Sequence, residues 1–174
     1  MMKPTMLLAF ILLFSPALSL AITGNTDLVL TGRIISKTCD VASDSVDQTV
    51  NLGEQDNRQF TNTGTKSDPV TFSIHFNHCG SKASTVGVGF YGTVVEGKHN
   101  ILALDPGSTV NVGIELSDAQ GNALPINPAN GYTEYGITPS ADNSVSFKAH
   151  YIALGYPVTA GEANGTATFN VIWP

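Results

Sequence analysis

The chain has 174 residues, of which eight are Lys or Arg and fourteen are Asp or Glu, giving a formal net charge of −6. An acidic chain without a basic cluster lacks the electrostatic footprint that a phosphate backbone requires, so no nucleic-acid partner is expected. The length suits one domain with a substantial core and is short for two.

At the start, Lys3 precedes an apolar run over residues 6–14, and Ser15-Pro16-Ala17-Leu18-Ser19-Leu20-Ala21 follows with small residues at Ser19 and Ala21. This is the layout of a secretory signal over residues 1–21, cleaved after Ala21. The apolar run is far shorter than the roughly 20 residues a membrane-spanning helix needs. The mature chain is then expected to begin at Ile22, and loss of Lys3 lowers the basic count from eight to seven against fourteen acids.

Beyond the signal, helical periodicity is nearly absent. Two-residue alternation recurs instead, bounded by Gly, Asn, Asp, Ser and Pro. Residues 28–34 alternate, with Leu28, Leu30 and Ile34 on one face and Gly32 between them. Residues 46–52 alternate as well. Residues 70–76 are the cleanest case, placing Val70, Phe72, Ile74 and Phe76 together. Further strands are predicted over 85–95, 110–117, 123–126, 145–154 and 166–173. Asp118-Ala119-Gln120-Gly121-Asn122 is a turn signal that predicts a hairpin between Ile114-Glu115-Leu116 and residues 123–126. The final strand keeps Ala167, Phe169, Val171 and Trp173 on one face up to the end of the sequence. An apolar strand in that position wants a partner, since chain ends usually fray. Many short strands with polar turns predict an antiparallel sandwich of the immunoglobulin type.

No motif carries chemistry. Gly87-Val88-Gly89-Phe90-Tyr91-Gly92 matches a dinucleotide fingerprint, yet that signal requires a following helix, and the sequence continues as strand. These glycines read as a bend or a close-packing site. No nucleophile elbow occurs, and His99 and His150 read as solvated or hydrogen-bonded side chains. Asn164-Gly165-Thr166 reads as a turn into the last strand. Cys39 and Cys79 are an even count in an exported chain, which invites one disulfide. Metal binding is the competing idea, but no CxxC is present and only His75 and His78 lie near either cysteine. No enzyme, cofactor or metal is expected.

Over essentially the whole mature length, the sequence resembles the type 1 fimbrial pilins of the chaperone–usher pathway, most closely the minor adaptor subunits near the fimbrial tip. The resemblance rests on the order and spacing of several blocks. They include the Gly32 to Cys39 interval, Val46-Asp47-Gln48-Thr49-Val50-Asn51-Leu52-Gly53, Pro69-Val70-Thr71-Phe72, Asn77-His78-Cys79 and Asn100-Ile101-Leu102-Ala103-Leu104. Val88-Gly89-Phe90-Tyr91-Gly92, Val112-Gly113-Ile114-Glu115-Leu116, Pro157-Val158-Thr159-Ala160-Gly161 and the closing Ala167-Thr168-Phe169 complete them. It implies an all-β fold, an incomplete immunoglobulin-like β-sandwich completed by a strand donated from a neighbouring fimbrial subunit. Residues 22–35 would be the N-terminal donor extension, with Leu28, Leu30, Gly32 and Ile34 as its inserting face, and residues 36–174 the pilin domain. Phe169, Val171, Trp173 and Pro174 would line the acceptor groove and contact a periplasmic pilus chaperone before assembly at an outer-membrane usher. A disulfide between Cys39 and Cys79 and export through the periplasm to a cell-surface fimbrium follow from the same likeness. Family members usually carry a tyrosine next to last, where this chain has Trp173 ahead of Pro174.

The alternative is a secreted carbohydrate-binding β-sandwich, in which Tyr91, Tyr132, Tyr135 or Trp173 would stack on sugar rings. Core or turn positions explain the same aromatics.

Overall fold

The computed structural model describes residues 31–108 and 111–174. The expected signal at residues 1–21 and the positions Leu28 and Leu30 lie outside the described residues, whereas Gly32 and Ile34 are within them. From Ile34 to Pro174 the chain forms one compact unit.

Its strands are β1 (Asp40–Val41), β2 (Val70–Asn77), β3 (Thr85–Gly92), β4 (Val94–Val95), β5 (Lys98–Leu102), β6 (Val112–Asp118), β7 (Thr133–Gly136), β8 (Asn143–Ala153) and β9 (Ala167–Ile172), with one 3-10 turn at Asn57–Gln59. They form two antiparallel sheets, one ordered β1-β2-β8-β6-β5-β4 and the other β7-β3-β9. The alternation predicted over residues 70–76 is realised in β2, where Ile74 and Phe76 are buried and Phe72 is half-buried on the inner face. Opposite them, β8 turns Val145, Phe147 and Ala149 inward. Phe90 from β3 meets Phe147 edge-on, with ring centroids 5.0 Å apart, and Phe72 packs against both rings. Each such pair adds about 0.5–1.5 kcal/mol beyond area burial, so this aromatic trio is the join between the two sheets.

Two expected strands behave differently. Residues 46–52 enter no ladder among the described residues. Residues 123–126 begin the predicted hairpin, with Ser117 bridging Ala123 and the Leu124 amide donating to the Leu116 carbonyl at 2.8 Å. The ladder stops there because Pro125 has no N–H to donate. Ile126 instead donates to His99 and bridges Phe90, and Leu124 and Ile126 are both buried in the core. Core burial has overridden the local hairpin. Strands β5 and β7 escape a reading of alternation because their sequences, KHNIL and TEYG, are polar at most positions.

The glycine pattern in β3 has a steric cause. A Cβ on Gly87 would lie 2.4 Å from Cδ2 of Tyr132, and one on Gly89 would lie 2.2 Å from the Gly131 carbonyl oxygen. The Gly131–Tyr132 turn therefore lies flat against the outer face of β3, and the Tyr91 hydroxyl donates to the Gly131 carbonyl. Close backbone approach is what these glycines provide. Cys39 and Cys79 form a disulfide. It closes a loop of 40 residues, which the chain-entropy model values at about 4 kcal/mol.

On the outer face of the larger sheet, β6 and β8 set Glu115 opposite His150. The buried Glu115 carboxylate accepts from His150 Nε2 at 3.1 Å and from Asn100 Nδ2 at 3.0 Å, and it is also ion-paired with Lys66 Nζ. Burial pushes the His150 imidazole below the ordinary histidine value of 6.5; the Lys66 charge adds to this and Glu115 partly opposes it. The folded state thus binds this proton less readily than the unfolded chain. The contribution is fully present above about pH 6.5 and is lost as pH falls through that value toward the lower folded one. In urea titrations between pH 8 and pH 5, His150→Gln should lose less stability on acidification than the wild type. Parallel curves for the two proteins would show that His150 does not carry the effect.

Candidate strand-binding groove

β9 pairs with β3 along its whole length, from Gly87 opposite Ile172 to Gly92 opposite Ala167. Its other edge has no strand beside it among the described residues. A strand in that state presents a row of unmet N–H and C=O groups, and such edges are normally covered or charged. Here the edge is apolar: Phe169 and Val171 are only half-buried and pack against the core.

Across a gap from β9 run residues 46–52, a segment that enters no ladder among the described residues. Gln48 Nε2 ties it to the Ser73 carbonyl at 3.3 Å, and Asn51 Oδ1 caps the Gly53 amide at 2.9 Å. Between these two lips lies a groove of about 740 Å³ whose floor comes from both sheets, through Phe72, Ile74, Phe90, Leu102, Ile114 and Leu116. Val50 and Leu52 form one wall and Phe169 and Val171 the other. The gap has the length of a strand and an apolar floor, and it lies between the free edge of β9 and a segment that joins no ladder among the described residues.

The groove continues into a second trough of about 1130 Å³, lined by residues 48–57 and 158–167. Gln48, Val50, Leu52, Ile114, Gly165 and Ala167 belong to both. At the junction the chain before β9 is clamped down. Tyr151 donates its hydroxyl to the Ala163 carbonyl at 2.9 Å, the Asp105 amide donates to the Asn164 carbonyl at 2.8 Å, and the Thr166 hydroxyl donates to Asp105 at 3.1 Å. Burial pushes the Tyr151 phenol above its usual range, with the Glu162 charge adding to it. A Cβ on Gly165 would sit 2.9 Å from Ile114 Cδ1, so this glycine lets the backbone rest on the sheet.

The charges are uneven. The 740 Å³ groove has Asp47 as its one charged lining residue, whereas the trough is lined by Glu54, Asp56, Asp105 and Glu162 with no Lys or Arg. Arg58 grips Asp56 through a bidentate pair and holds its carboxyl down to about 2.

The sequence-predicted residues fall as follows. Phe169 and Val171 line the groove. Trp173 is half-buried and meets Phe76 edge-on at 5.7 Å, and Pro174 is exposed. Gly32 and Ile34 lie in an exposed stretch without regular structure, and Ile34 is fully accessible. The floor residues Leu102 and Ile114 and the wall at residues 46–52 were not singled out as site residues from sequence. The one signal for that wall was its unabsorbed alternation. The aromatics offered for sugar stacking are engaged within the chain: Tyr132 lies on Gly87, Tyr91 bonds Gly131, and Tyr135 packs edge-on against Phe147 at 5.4 Å. Burial, with the Asp118 charge adding, pushes the Tyr135 phenol up to about 12.

Fold and groove together define an incomplete immunoglobulin-like sandwich, open at the place of one strand. Residues 28–173 match the family described as "Fimbrial protein". The chain is 38% identical over 168 residues to the type-1 fimbrial protein, C chain, of Escherichia coli, spanning 89% of this chain and 92% of that one. It is 37% identical over 161 residues to the type-1 fimbrial protein, A chain, of Escherichia coli strain K12, spanning 89% and 87%. The crystal structure of the P pilus rod subunit PapA has the same fold, with a TM-score of 0.65 and 22% identity over 79% of this chain and 99% of that one. The chain belongs to the fimbrial protein family. It is a structural fimbrial subunit and not an enzyme.

The clamp at Gly165 has a direct check. Gly165→Val forces β-carbon branches onto Ile114 and Leu102 and should lower stability by about 1–3 kcal/mol, as overpacking does. Thr166→Val, which removes an exposed hydrogen bond, should stay within about 0.5 kcal/mol of wild type. Equal urea midpoints for all three proteins would mean that the segment is not held against the sheet.

Proposed function

We propose that this subunit polymerises by donor-strand exchange: its groove accepts an N-terminal strand from a neighbouring subunit, and its own residues 22–35 enter the groove of another. The observation that carries this reading is the strand-sized gap between the unpaired edge of β9 and residues 46–52, floored by Leu102, Ile114 and Phe72. A strand laid there gains main-chain hydrogen bonds for affinity and alternate side-chain pockets for specificity. Leu28, Leu30 and Ile34 would together contribute about 5–9 kcal/mol at about 1.5–3 kcal/mol each. Gly32 would present no side chain to the groove between Leu30 and Ile34. Exposure of Ile34 and Ile35 suits a segment whose apolar partner lies on another molecule.

The remaining roles follow from that exposed groove. An apolar edge in the periplasm invites aggregation, so a pilus chaperone would cover Phe169, Val171 and Trp173 until an outer-membrane usher exchanges it for the next subunit. Pro174 lacks an N–H and would leave chaperone anchoring at this end to the Trp173 ring. The signal over residues 1–21 would deliver the chain to the periplasm on its way to the cell surface. A place among the minor tip adaptors and a place in a repeating rod use the same groove. Copy number per fibre separates them, with a single copy marking the adaptor.

Replacing Gly32 by Phe should leave the yield of chaperone-bound subunit within about twofold of wild type and abolish incorporation into fibres. Deleting residues 22–30 should do the same. If that deletion unfolds the chaperone-bound subunit, the segment is an internal strand and the donor reading fails.

A further inference from the structure

We propose that Asn164 is a site of spontaneous deamidation and isoaspartate formation, and that its conversion loosens the clamp that seats the chain ahead of β9. This chemistry belongs to one exposed turn and is independent of how subunits join.

The sequence holds two Asn-Gly pairs, Asn130-Gly131 and Asn164-Gly165. Glycine has no Cβ, so its nitrogen is the least hindered in attacking the side chain of the asparagine before it. The two pairs differ in how that nitrogen is held. The Gly131 amide donates to the Pro128 carbonyl at 2.8 Å, and the Gly131 carbonyl accepts from the Tyr91 hydroxyl. That carbonyl also fills the space a Cβ on Gly89 would need, so the turn is packed against β3. At the other pair Asn164 is exposed, and neither its side chain nor the Gly165 amide forms a hydrogen bond among the described residues. The bonds of the clamp fall on the carbonyls of Ala163 and Asn164 and on the Thr166 hydroxyl. Both reacting groups of Asn164-Gly165 are left free. Asn143 shows the contrast, since its side-chain amide donates to the Thr138 and Ala141 carbonyls and its Oδ1 accepts from the Thr138 amide.

The reaction needs only water. The Gly165 nitrogen gives its proton to solvent and bonds to Cγ of Asn164. The Cγ–Nδ2 bond breaks, and ammonia leaves with a proton taken from water. Water then opens the cyclic imide at either carbonyl. Opening at Cγ leaves an aspartate at position 164. Opening at the former main-chain carbonyl leaves isoaspartate, with the chain running through Cβ and Cγ. Either product adds a carboxylate to a trough already lined by Glu54, Asp56, Asp105 and Glu162. Isoaspartate also takes the Asn164 carbonyl, the acceptor of the Asp105 amide, out of the main chain. The backbone lengthens between the Ala163 and Thr166 anchors, while Gly165 lies so close that its Cβ position is 2.9 Å from Ile114 Cδ1. The clamp cannot keep its present geometry.

The test ages the full mature subunit, as isolated under native conditions, in mildly alkaline buffer and follows it by peptide mapping and mass spectrometry. A parallel sample is kept unfolded in urea. In the folded protein the peptide containing Asn164 should gain the mass of an amide-to-acid exchange and split into two chromatographic isomers. Position 130 should convert about tenfold more slowly, the factor that about 1.4 kcal/mol of barrier supplies. In urea the two positions should convert at similar rates, because the Pro128 and Tyr91 bonds to Gly131 are gone. Hydrogen exchange at the Asp105 amide should speed up in the aged wild type and stay unchanged in aged Asn164→Gln, whose longer side chain disfavours the ring. Equal rates at the two positions in the folded protein, or no change at Asn164 while the unfolded sample converts, would overturn the site. Conversion with unaltered Asp105 exchange would overturn its effect on the clamp.

Discussion

The unpaired edge of β9 is the constraint around which the rest of the subunit is arranged. The strand has an apolar inner face, Phe169 and Val171, and among the described residues a single ladder partner, β3. Everything that keeps it ordered must therefore come from behind it or from its ends. Behind it, β3 sits between β7 and β9 with its two outward glycines covered by the Gly131–Tyr132 turn, which makes β3 a stiff support. At its N-terminal end the Tyr151, Asp105 and Thr166 hydrogen bonds hold the approach. At its C-terminal end Trp173 rests on Phe76, a core ring of the other sheet.

The opposite lip is held by different means. Residues 46–52 lack a ladder, but they follow β1, which pairs with β2 and adjoins the Cys39–Cys79 disulfide. The buried Ser45 hydroxyl accepts from the His75 amide at 2.8 Å, and His75 Nδ1 meets Asp44 at 2.9 Å, a contact that holds the Asp44 carboxyl below its usual range. The same region holds the residues just before β1: the Gly80 amide donates to the Thr38 carbonyl at 3.0 Å and the Lys82 amide to the Ser36 carbonyl at 3.2 Å. One covalent link and a short set of hydrogen bonds thus serve both the wall of the groove and the root of the exposed stretch that begins at Ile34.

What could be read in the sequence was whatever two-residue alternation encodes. β2, β3, β6, β8 and β9 were legible because one face of each is apolar enough to mark the core. β5 and β7 were not, since they are short and polar and exist through pairing with longer strands already in place. The hairpin expected at residues 123–126 forms only in part: the turn, the Ser117–Ala123 bridge and the Leu124–Leu116 bond follow the local pattern, while the core takes Leu124 and Ile126 in another direction. Within the groove, Phe169 and Val171 could be named from alternation at the end of the chain. Leu102 and Ile114 could not, because a floor residue is distinguished from an ordinary core residue only by what is absent above it. The alternation at residues 46–52 was seen, but an apolar alternating segment with no ladder partner looks the same in sequence as a paired one.

The groove also has to remain open. Two apolar lips separated by a strand's width would gain by closing, since apolar burial stabilises at about 25 cal/mol per Å². Closure here would require moving β9 off β3, with loss of a six-residue ladder, or pulling residues 46–52 away from the Gln48–Ser73 and Ser45–His75 bonds. It would also tilt the Phe90–Phe147 pair that joins the sheets. Close-packed cores do not deform continuously, and small displacements already forfeit contact energy. The lips are therefore anchored to separate rigid layers, and neither layer can yield alone. An apolar gap held open in this way lowers the cost of binding, because the receiving surface needs little reordering when an extended strand arrives.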